Sequence, residues 1–269
     1  ELLQYLVEYL IEESELHGRA LPPVAAEVVR DGLTSAAAEK LWLAFRSLVN
    51  VRPPWPAPAE FLVAHDELLQ GLIAEAGIAT LADTTASPAD PRLRLWRGDI
   101  TTLAVDAIVN AANSGMTGCW APLHYCIDNA IHTFAGVQLR AACAKAMAAQ
   151  GHPEPTAQAK VTDAFNLPAR YVIHTVGPIA DGRPTDTHRR QLAECYRACL
   201  DAAAAAGLSS IAFCCISTGV FGFPQKEAAS IAVATVRRWL DEHPDTPMTV
   251  VFNVFSETDE SLYRPLLGL

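Results

Sequence analysis

Residues 210–224 have the sequence SIAFCCISTGVFGFP, which passes from an apolar run through a loop with two glycines to the start of a helical pattern. The apolar run predicts a buried strand over residues 209–216, and the helical pattern that follows covers residues 225–241. A strand joined to a helix in this way is the repeating unit of an α/β sheet. Ligands bind beyond the carboxyl ends of the strands in such sheets, so this loop is a candidate binding site.

The same alternation extends over residues 92–269. Strands are predicted at residues 92–96, 107–110, 159–165, 171–176, 209–216 and 248–255. Helices are predicted at residues 124–135, 137–149, 186–206, 225–241 and 259–267. Strands that alternate with crossover helices predict an α/β fold with helices on both faces of the sheet.

Residues 1–85 have helical periodicity instead. Three helices are predicted, the first ending near Gly18, the second beginning after Ser35 and the third covering residues 58–76. The prolines of residues 52–56 end the second helix, because proline lacks the backbone donor and restricts the residue before it. We therefore expect a helical N-terminal extension.

The segment 81–91 is rich in Asp, Ser and Pro and is predicted to be a linker between residues 1–85 and an α/β domain at 92–269.

The formal net charge of −10 argues against nucleic-acid binding, which depends on clustered Lys and Arg. No apolar run approaches the ~20 residues needed to span a membrane. Seven irregularly spaced cysteines do not form a disulfide pattern and favour a reducing, cytoplasmic location.

Two polar patches follow predicted strands. Asp99, in the sequence WRGDI of residues 96–100, can accept a hydrogen bond from an exocyclic amino group beside free backbone amides. Asn110 and Asn113 each offer a donor and an acceptor, which suits the neighbouring hydroxyls of a ribose. Each patch has a purely structural alternative, since Asp is a common N-cap or turn residue and Asn often precedes a glycine turn.

The loop over residues 217–224 supplies a third patch. Gly219 and Gly222 would let backbone N–H groups approach a diphosphate, and the N-terminus of the following helix adds a favourable dipole. An acidic protein could bind an anion in this way without a basic patch. A glycine-containing connector with no ligand is the alternative.

In this order and spacing, the three patches resemble the signatures of the macrodomain family, over about residues 92–269. The resemblance implies a three-layer α/β/α fold with a mixed sheet that binds ADP-ribose. It assigns Asp99 and Ile100 to adenine, Asn110 and Asn113 to the distal ribose, and Ser217, Thr218, Gly219, Val220, Phe221, Gly222 and Phe223 to the diphosphate. Phe255 falls where the family commonly places an aromatic ring against adenine, although a core Phe at a strand end is equally compatible with the pattern.

A fourth patch, over residues 118–132, contains Cys119, His124 and Cys126 where macrodomain hydrolases usually have a glycine-rich run. It resembles the zinc-dependent macrodomains of microbes. Two thiolates and an imidazole are suitable zinc ligands, and three protein ligands leave a fourth position open for water or substrate. Zinc at that position would polarise a ribose hydroxyl or a water molecule. A closed structural site, with a fourth ligand such as His132 or Cys215, is the alternative.

Asp128 lies in the first turn of the predicted helix and matches an Asp that many macrodomain hydrolases carry there. The resemblance implies that Asp128, with Asn113, takes part in catalysis by orienting or activating water. The alternative is a first-turn carboxylate that interacts favourably with the helix dipole. His132 is one turn further along and is expected to be a local partner of Asp128 rather than a ligand.

The resemblance therefore implies a zinc-dependent hydrolase that removes mono-ADP-ribose from modified protein side chains. Its expected partners are ADP-ribose and a mono-ADP-ribosylated protein, with no nucleic acid and no membrane. Two alternatives are a reader that binds ADP-ribose without turnover, and a hydrolase of free esters such as O-acetyl-ADP-ribose. The set of Cys119, His124 and Cys126 argues against the reader, which has no need of an open metal position. The N-terminal helices are expected to lie beside the pocket and to contact the protein substrate.

Overall fold

The structure is a computed structural model that describes residues 1–269. Its first four helices are α1 (Leu2–Leu16), α2 (Pro23–Asp31), α3 (Ala38–Val51) and α4 (Ala59–Ala76). The three predicted helices are α1, α3 and α4, and α2 is an additional one. It starts at Pro23, which is favourable because the first N–H groups of a helix have no partner within it.

Apolar side chains at helical spacing on the N-terminal helices pack into a buried cluster. Leu6 of α1, Phe45 of α3 and Phe61 of α4 are fully buried in this cluster. Phe134 and Val137, which belong to the α/β part of the chain, pack against the same cluster. Apolar contacts therefore join the N-terminal helices to the rest of the molecule.

Nine strands follow along the chain. They are β1 (Ala79–Thr80), β2 (Thr85–Ala86), β3 (Leu93–Arg97), β4 (Leu103–Ala104), β5 (Ala107–Ala112), β6 (Ala159–Asp163), β7 (Tyr171–Val176), β8 (Ser210–Phe213) and β9 (Thr249–Val254). Seven of them form one sheet in the order β2-β3-β9-β8-β5-β7-β6. The edge strands β2 and β6 run antiparallel to their neighbours, and the five strands between them are parallel. The predicted mixed sheet is confirmed.

Five further helices cover the sheet. They are α5 (Ile127–Ala135), α6 (Val137–Gln150), α7 (Asp186–Ala205), α8 (Gln225–Glu242) and α9 (Glu257–Leu267). Helices α5 and α6 pack together on one face, and α7, α8 and α9 pack side by side on the other. This is the predicted three-layer α/β/α arrangement, with α3 and α4 lying outside α5. None of the helices combines the length and the apolar character that a membrane crossing requires.

The segment predicted as a linker is an integral part of the fold. Strand β2 pairs with β3, and Thr80 caps the short 3-10 helix Leu81–Asp83. Ser87 is buried and donates a hydrogen bond to the carbonyl of Leu267 at 2.7 Å. The prediction was wrong because these polar residues, which are common in linkers, here form hydrogen bonds with one another and with the end of α9.

The parallel strands place five loops at one edge of the sheet. These loops begin after β3, β5, β7, β8 and β9, and apart from Asn110, which lies within β5, they include every residue that the sequence assigns to a ligand. Their convergence follows from the parallel arrangement alone, because the carboxyl ends of parallel strands lie at the same edge. This edge is the candidate functional site.

Asp106 stabilises the opposite edge, where the parallel strands begin. Burial alone would raise the pKa of its carboxyl group. Hydrogen bonds oppose this effect and hold the pKa at about 2, below the ordinary 3.8; they come from the backbone N–H and the hydroxyl of Ser209, from the Arg170 guanidinium and from the Ser210 side chain. The group therefore stabilises the fold above its ordinary pKa, and that contribution is lost as the pH falls from about 4 to about 2.

We expect Asp106→Asn to lower the free energy of unfolding at pH 7 by about 1–2 kcal/mol, since partial exposure screens the carboxylate. Urea unfolding at pH 7 and at pH 2.5 measures the effect. The difference between the two proteins should shrink at the lower pH, and an equal difference at both would contradict the assignment.

Candidate functional site

The loop after β8 forms an open row of backbone amides. The N–H groups of Gly219, Val220 and Phe221 donate to no other group of the protein. The loop is held from behind by the loop after β7, because Ala180 N–H donates to the Phe221 carbonyl at 2.8 Å and Gly182 N–H to the Gly222 carbonyl at 2.8 Å. Consecutive free amides of this kind bind anions.

Gly222 and Phe223 have different roles from those predicted. The Gly222 N–H is used within the loop, where it donates to the Gly219 carbonyl at 3.0 Å. Gly222 has a φ of +64°, and a Cβ there would lie 3.1 Å from the Gly182 nitrogen, so the backbone itself requires glycine at this position. The Phe223 side chain is only 1% exposed and packs in the core. Its backbone N–H donates to the Ser217 carbonyl at 2.9 Å, so it too is used within the loop.

Ser217 and Thr218 form the start of this loop. Ser217 is buried, has a φ of +65° and has a hydroxyl group with no hydrogen-bond partner in the protein. Thr218 donates its hydroxyl to the carbonyl of Cys215 at 2.9 Å. The amide row itself is therefore confined to residues 219–221.

The loop after β3 presents the Asp99 carboxylate. Its Oδ1 accepts hydrogen bonds from the Thr101 N–H at 2.9 Å and from the Thr101 hydroxyl at 2.7 Å, which caps the short 3-10 helix Ile100–Thr102. Asp99 is therefore an N-cap, as the structural alternative predicts. Its side chain is nevertheless exposed, and its Oδ2 has no hydrogen-bond partner in the protein. Ile100 is buried beneath it. A ligand can therefore still bind to the free edge of this carboxylate.

Phe255 directly follows β9 and is 77% exposed, which excludes the core alternative. The end of β9 lies against the Asp99 loop, because Gly98 N–H donates to the Val254 carbonyl at 3.1 Å and the Asn253 side chain donates to the Gly98 carbonyl at 2.9 Å. The Phe255 ring and the Asp99 carboxylate therefore belong to adjoining parts of the same edge.

Asp128, in the first turn of α5, is a buried carboxylate held by two amides. Oδ1 accepts from Asn110 Nδ2 at 2.8 Å, and Oδ2 accepts from Asn113 Nδ2 at 3.2 Å. Burial raises the pKa of Asp128 to about 6, against the opposing effects of Asn110, Arg140 and Asn113. His132 Nε2 lies 3.5 Å from Asp128 Oδ1, but neither ring nitrogen of His132 has a hydrogen-bond partner in the protein, so the two residues are neighbours without the predicted pairing.

Asn110 does not face the site directly. Its side chain is fully buried within β5 and donates to Asp128 and, at 3.1 Å, to Nδ1 of His174. The predicted contact between Asn110 and a ribose is therefore contradicted by this geometry, and Asn110 instead orients Asp128. Asn113 follows the strand, is half-buried, and also donates to the Gly118 carbonyl at 3.0 Å.

His174 is a member of this network that sequence reasoning missed. It is fully buried in β7, and its Nε2 lies 2.9 Å from the Thr162 hydroxyl. Burial lowers its pKa to about 4, so the ring is neutral at physiological pH. The signal was available: a histidine interrupts the apolar strand YVIHTV of residues 171–176, and a buried polar side chain needs a partner.

Cys119, His124 and Cys126 come together in the loop between β5 and α5. Their sulfur and nitrogen atoms all lie within 4.8 Å of one another, and Cys119 Sγ is 3.5 Å from His124 Nδ1. Cys126 is also the N-cap of α5, since its sulfur accepts from the Asn129 N–H at 3.4 Å. The structure thus brings together the three residues that the sequence proposes as ligands.

The two alternatives for a fourth ligand do not join this set. His132 groups with Cys143 and His174 in a separate, fully buried cluster. Cys215 is at the start of the loop after β8, and its sulfur lies 3.9 Å from the Asn253 carbonyl. The set of Cys119, His124 and Cys126 therefore has three protein donors and is partly exposed.

The chain thus combines a mixed sheet between two helical layers with a row of free backbone amides and a buried carboxylate at the carboxyl edge of the sheet. The family model described as Macro domain matches residues 109–232. A "Protein-ADP-ribose hydrolase" of Treponema medium is 54% identical over 98% of this chain and 97% of its own. The chain belongs to the macrodomain family.

Further relatives support the same placement. A "Protein-ADP-ribose hydrolase" of Staphylococcus aureus is 49% identical over 84% of each chain. Among solved structures, a Trypanosoma brucei macrodomain in complex with ADP-ribose is 32% identical with a TM-score of 0.64, over 83% of this chain and 95% of that one. A mutant Oceanobacillus iheyensis macrodomain with ADPR is 41% identical with a TM-score of 0.60, over 65% of this chain and 91% of that one.

Proposed function

We propose that this chain is a zinc-dependent hydrolase that removes mono-ADP-ribose from modified protein side chains. The relatives named protein-ADP-ribose hydrolase, at 54% and 49% identity, support the reaction, and the macrodomains solved with ADP-ribose support the ligand. One observation carries the proposal. Asn113 donates both to Asp128 and to the Gly118 carbonyl, so it ties the buried carboxylate to the loop that holds Cys119, His124 and Cys126.

The donor set fits zinc by its chemistry. Two thiols and one imidazole nitrogen within 4.8 Å are soft and borderline ligands that zinc binds with tetrahedral geometry, and three of them leave one position open. Burial, with the neighbouring Cys119 thiol, raises the pKa of Cys126 to about 12. A divalent cation at the set would favour both thiolates instead, which couples metal binding to proton release.

The residues of the chain provide binding and orientation. In this proposal the amides of residues 219–221 bind the diphosphate, Asp99 and Ile100 bind adenine, and Phe255 lies against the base. These contacts hold the adenine and diphosphate, and they thereby position the distal ribose beside Asp128. The binding energy of these non-reacting parts of the ligand is used to orient the reacting carbon. Zinc, when bound, supplies a Lewis acid that polarises a ribose hydroxyl or a water molecule.

Asp128 acts on the attacking water in this proposal. Asn110 and Asn113 each bind one of its carboxylate oxygens, which fixes the plane of the carboxylate. From that position Asp128 orients the water and accepts its proton as the oxygen attacks the anomeric carbon. The bond from that carbon to the protein side chain breaks, and the proton that Asp128 took from the water passes to the departing side chain.

Incubation with defined substrates tests this function. Purified protein is mixed with acceptors mono-ADP-ribosylated on Asp/Glu, on Ser and on Arg, and with O-acetyl-ADP-ribose, and the released ADP-ribose is measured. Release from at least one protein acceptor is expected. Release from the free ester alone would support the ester hydrolase, and tight binding of ADP-ribose with no release from any substrate would support the reader.

Gly219→Glu is expected to weaken ADP-ribose binding on the order of 100-fold. A Cβ on Gly219 would meet no other atom within 4 Å, and the residue has no positive φ, so the fold tolerates a side chain there. The new carboxylate would occupy the amide row and repel the diphosphate. Calorimetric titration with ADP-ribose measures the change.

The matched control for this prediction is Gly219→Gln, which has nearly the same shape without the charge. We expect Gly219→Gln to bind ADP-ribose about tenfold more tightly than Gly219→Glu does, since one like-charge contact costs roughly 1–2 kcal/mol near a surface. Unchanged affinity in a folded Gly219→Glu protein would place the diphosphate elsewhere.

A further inference from the structure

Helix α3 of the N-terminal region is in direct contact with the loop that carries Cys119, His124 and Cys126. Asn50, near the end of α3, is 2% exposed. Its Oδ1 accepts a hydrogen bond from the backbone N–H of Leu123 at 2.9 Å, and its Nδ2 donates to the Thr133 hydroxyl of α5 at 3.1 Å. One buried side chain thus connects α3, the loop and α5.

Leu123 immediately precedes His124 and has a φ of +59°. A residue with a β-carbon rarely adopts this left-handed conformation, and it persists only where surrounding contacts fix it. The bond from Leu123 N–H to Asn50 is such a contact. The turn at Leu123 directs the His124 ring towards Cys119, which lies 3.5 Å from its Nδ1.

Arg140 anchors the start of the same loop. This buried guanidinium donates to the Thr117 carbonyl at 2.7 Å, and to the carbonyls of Val49 and Arg52 at the end of α3 at 3.0 and 2.6 Å. Its guanidinium carbon lies 4.3 Å from the centre of the Trp120 ring. The loop is therefore attached to the end of α3 at two points, through Arg140 at Thr117, before Cys119, and through Asn50 at Leu123, directly before His124.

We propose that Asn50 is a positioning residue for the metal-binding loop, so that the N-terminal helices preorganise the three zinc ligands. The inference rests on the proposed function, in which Cys119, His124 and Cys126 bind zinc. It gives the N-terminal region a role that does not require contact with the substrate. Hydrogen bonds to the side chain of a metal ligand fix its orientation before the metal binds. A hydrogen bond to the backbone directly before His124 has the same effect on the His124 ring.

The test compares Asn50→Ala with Thr133→Ala. Both remove the hydrogen bond between Asn50 and Thr133, but only Asn50→Ala removes the bond to Leu123. Zinc affinity is measured by competition with a chromophoric chelator, beside the melting temperature and ADP-ribose affinity. We expect Asn50→Ala to lose about 10- to 100-fold in zinc affinity, the usual effect of removing an outer-shell contact, and Thr133→Ala to stay within about threefold of wild type.

Two further measurements separate positioning from general destabilisation. Asn50→Asp keeps the acceptor for Leu123 N–H, and we expect it to bind zinc more tightly than Asn50→Ala does. The thiolate-to-metal absorption of the cobalt-loaded protein should shift in Asn50→Ala and not in Thr133→Ala. If Asn50→Ala does not fold, Asn50→Ser, whose hydroxyl is too short to reach Leu123, replaces it.

The outcomes are distinguishable. Wild-type zinc affinity and cobalt absorption in Asn50→Ala would overturn this inference and leave the proposed function intact. Equal losses of zinc affinity in Asn50→Ala and Thr133→Ala would also overturn it, because the bond to Leu123 would then be irrelevant. A wild-type protein that binds no zinc would overturn both the inference and the metal dependence of the proposed function.

Discussion

Cys126→Ser is expected to lose its zinc and to release ADP-ribose from a modified protein about 1,000-fold more slowly than wild type, equivalent to about 4 kcal/mol of transition-state stabilisation. Serine removes the thiolate but retains an oxygen that can accept from the Asn129 N–H, so the N-cap of α5 is preserved. The amide row and Asp99 lie on other loops, and ADP-ribose affinity should therefore change by less than about tenfold. Metal analysis, calorimetry and an initial-rate assay on the same preparation measure the three quantities.

Cys215→Ala is the control, because Cys215 is also a partly buried thiol and lies outside the donor set. It should retain zinc and activity. A structural zinc makes a different forecast for Cys126→Ser, since the ligands of such a site contribute folding free energy directly. Loss of melting temperature, ADP-ribose binding and activity together would therefore contradict an open catalytic site.

Asp128→Ala is expected to lower the rate of ADP-ribose release by about 10²- to 10⁴-fold, the usual contribution of a general base. The side chains bonded to the carboxylate are the amides of Asn110 and Asn113, and an amide cannot act as a base in its place. Zinc content should stay near that of wild type, because Asp128 is not a member of the donor set. Single-turnover kinetics with excess enzyme separates the chemical step from binding.

Asp163→Ala, which removes an exposed carboxylate at the edge strand β6, is the matched control and should have wild-type kinetics. An Asp128→Ala protein that binds ADP-ribose and turns over at the wild-type rate would assign Asp128 to helix stability alone. The first-turn alternative raised by the sequence would then be correct.

Much of the fold could be predicted because its signals are local. The predicted bounds of strand β7 are those of the structure, and α5 differs only because residues 124–126 belong to the loop that precedes it. Strand β8 ends at Phe213, before its predicted end, because the chain turns into the amide loop and Ser217 takes a positive φ. The prediction of a linker at residues 81–91 was wrong for a tertiary reason, because Ser87 donates a hydrogen bond to a carbonyl 180 residues away in the sequence.

The site was predicted less completely, and Asn110 shows why. Both faces of a central parallel strand are covered by helices, so period-two alternation cannot tell a buried polar side chain from one that faces a ligand. Asn110 shares its face with Ile108 and Ala112, and all three are buried. Asn50 and Arg140 gave no signal at all, because their partners lie far away in the sequence.

In the proposed mechanism, hydrolysis depends on zinc held by Cys119, His124 and Cys126. The most direct measurement removes zinc stepwise from the wild-type protein with a chelator and determines the zinc content, ADP-ribose affinity and rate of release from a mono-ADP-ribosylated protein on each sample. We expect the rate to fall in proportion to zinc content, to return when zinc is added back, and to change far more than ADP-ribose affinity does. A rate that stays at its initial value after the zinc has been removed would contradict it.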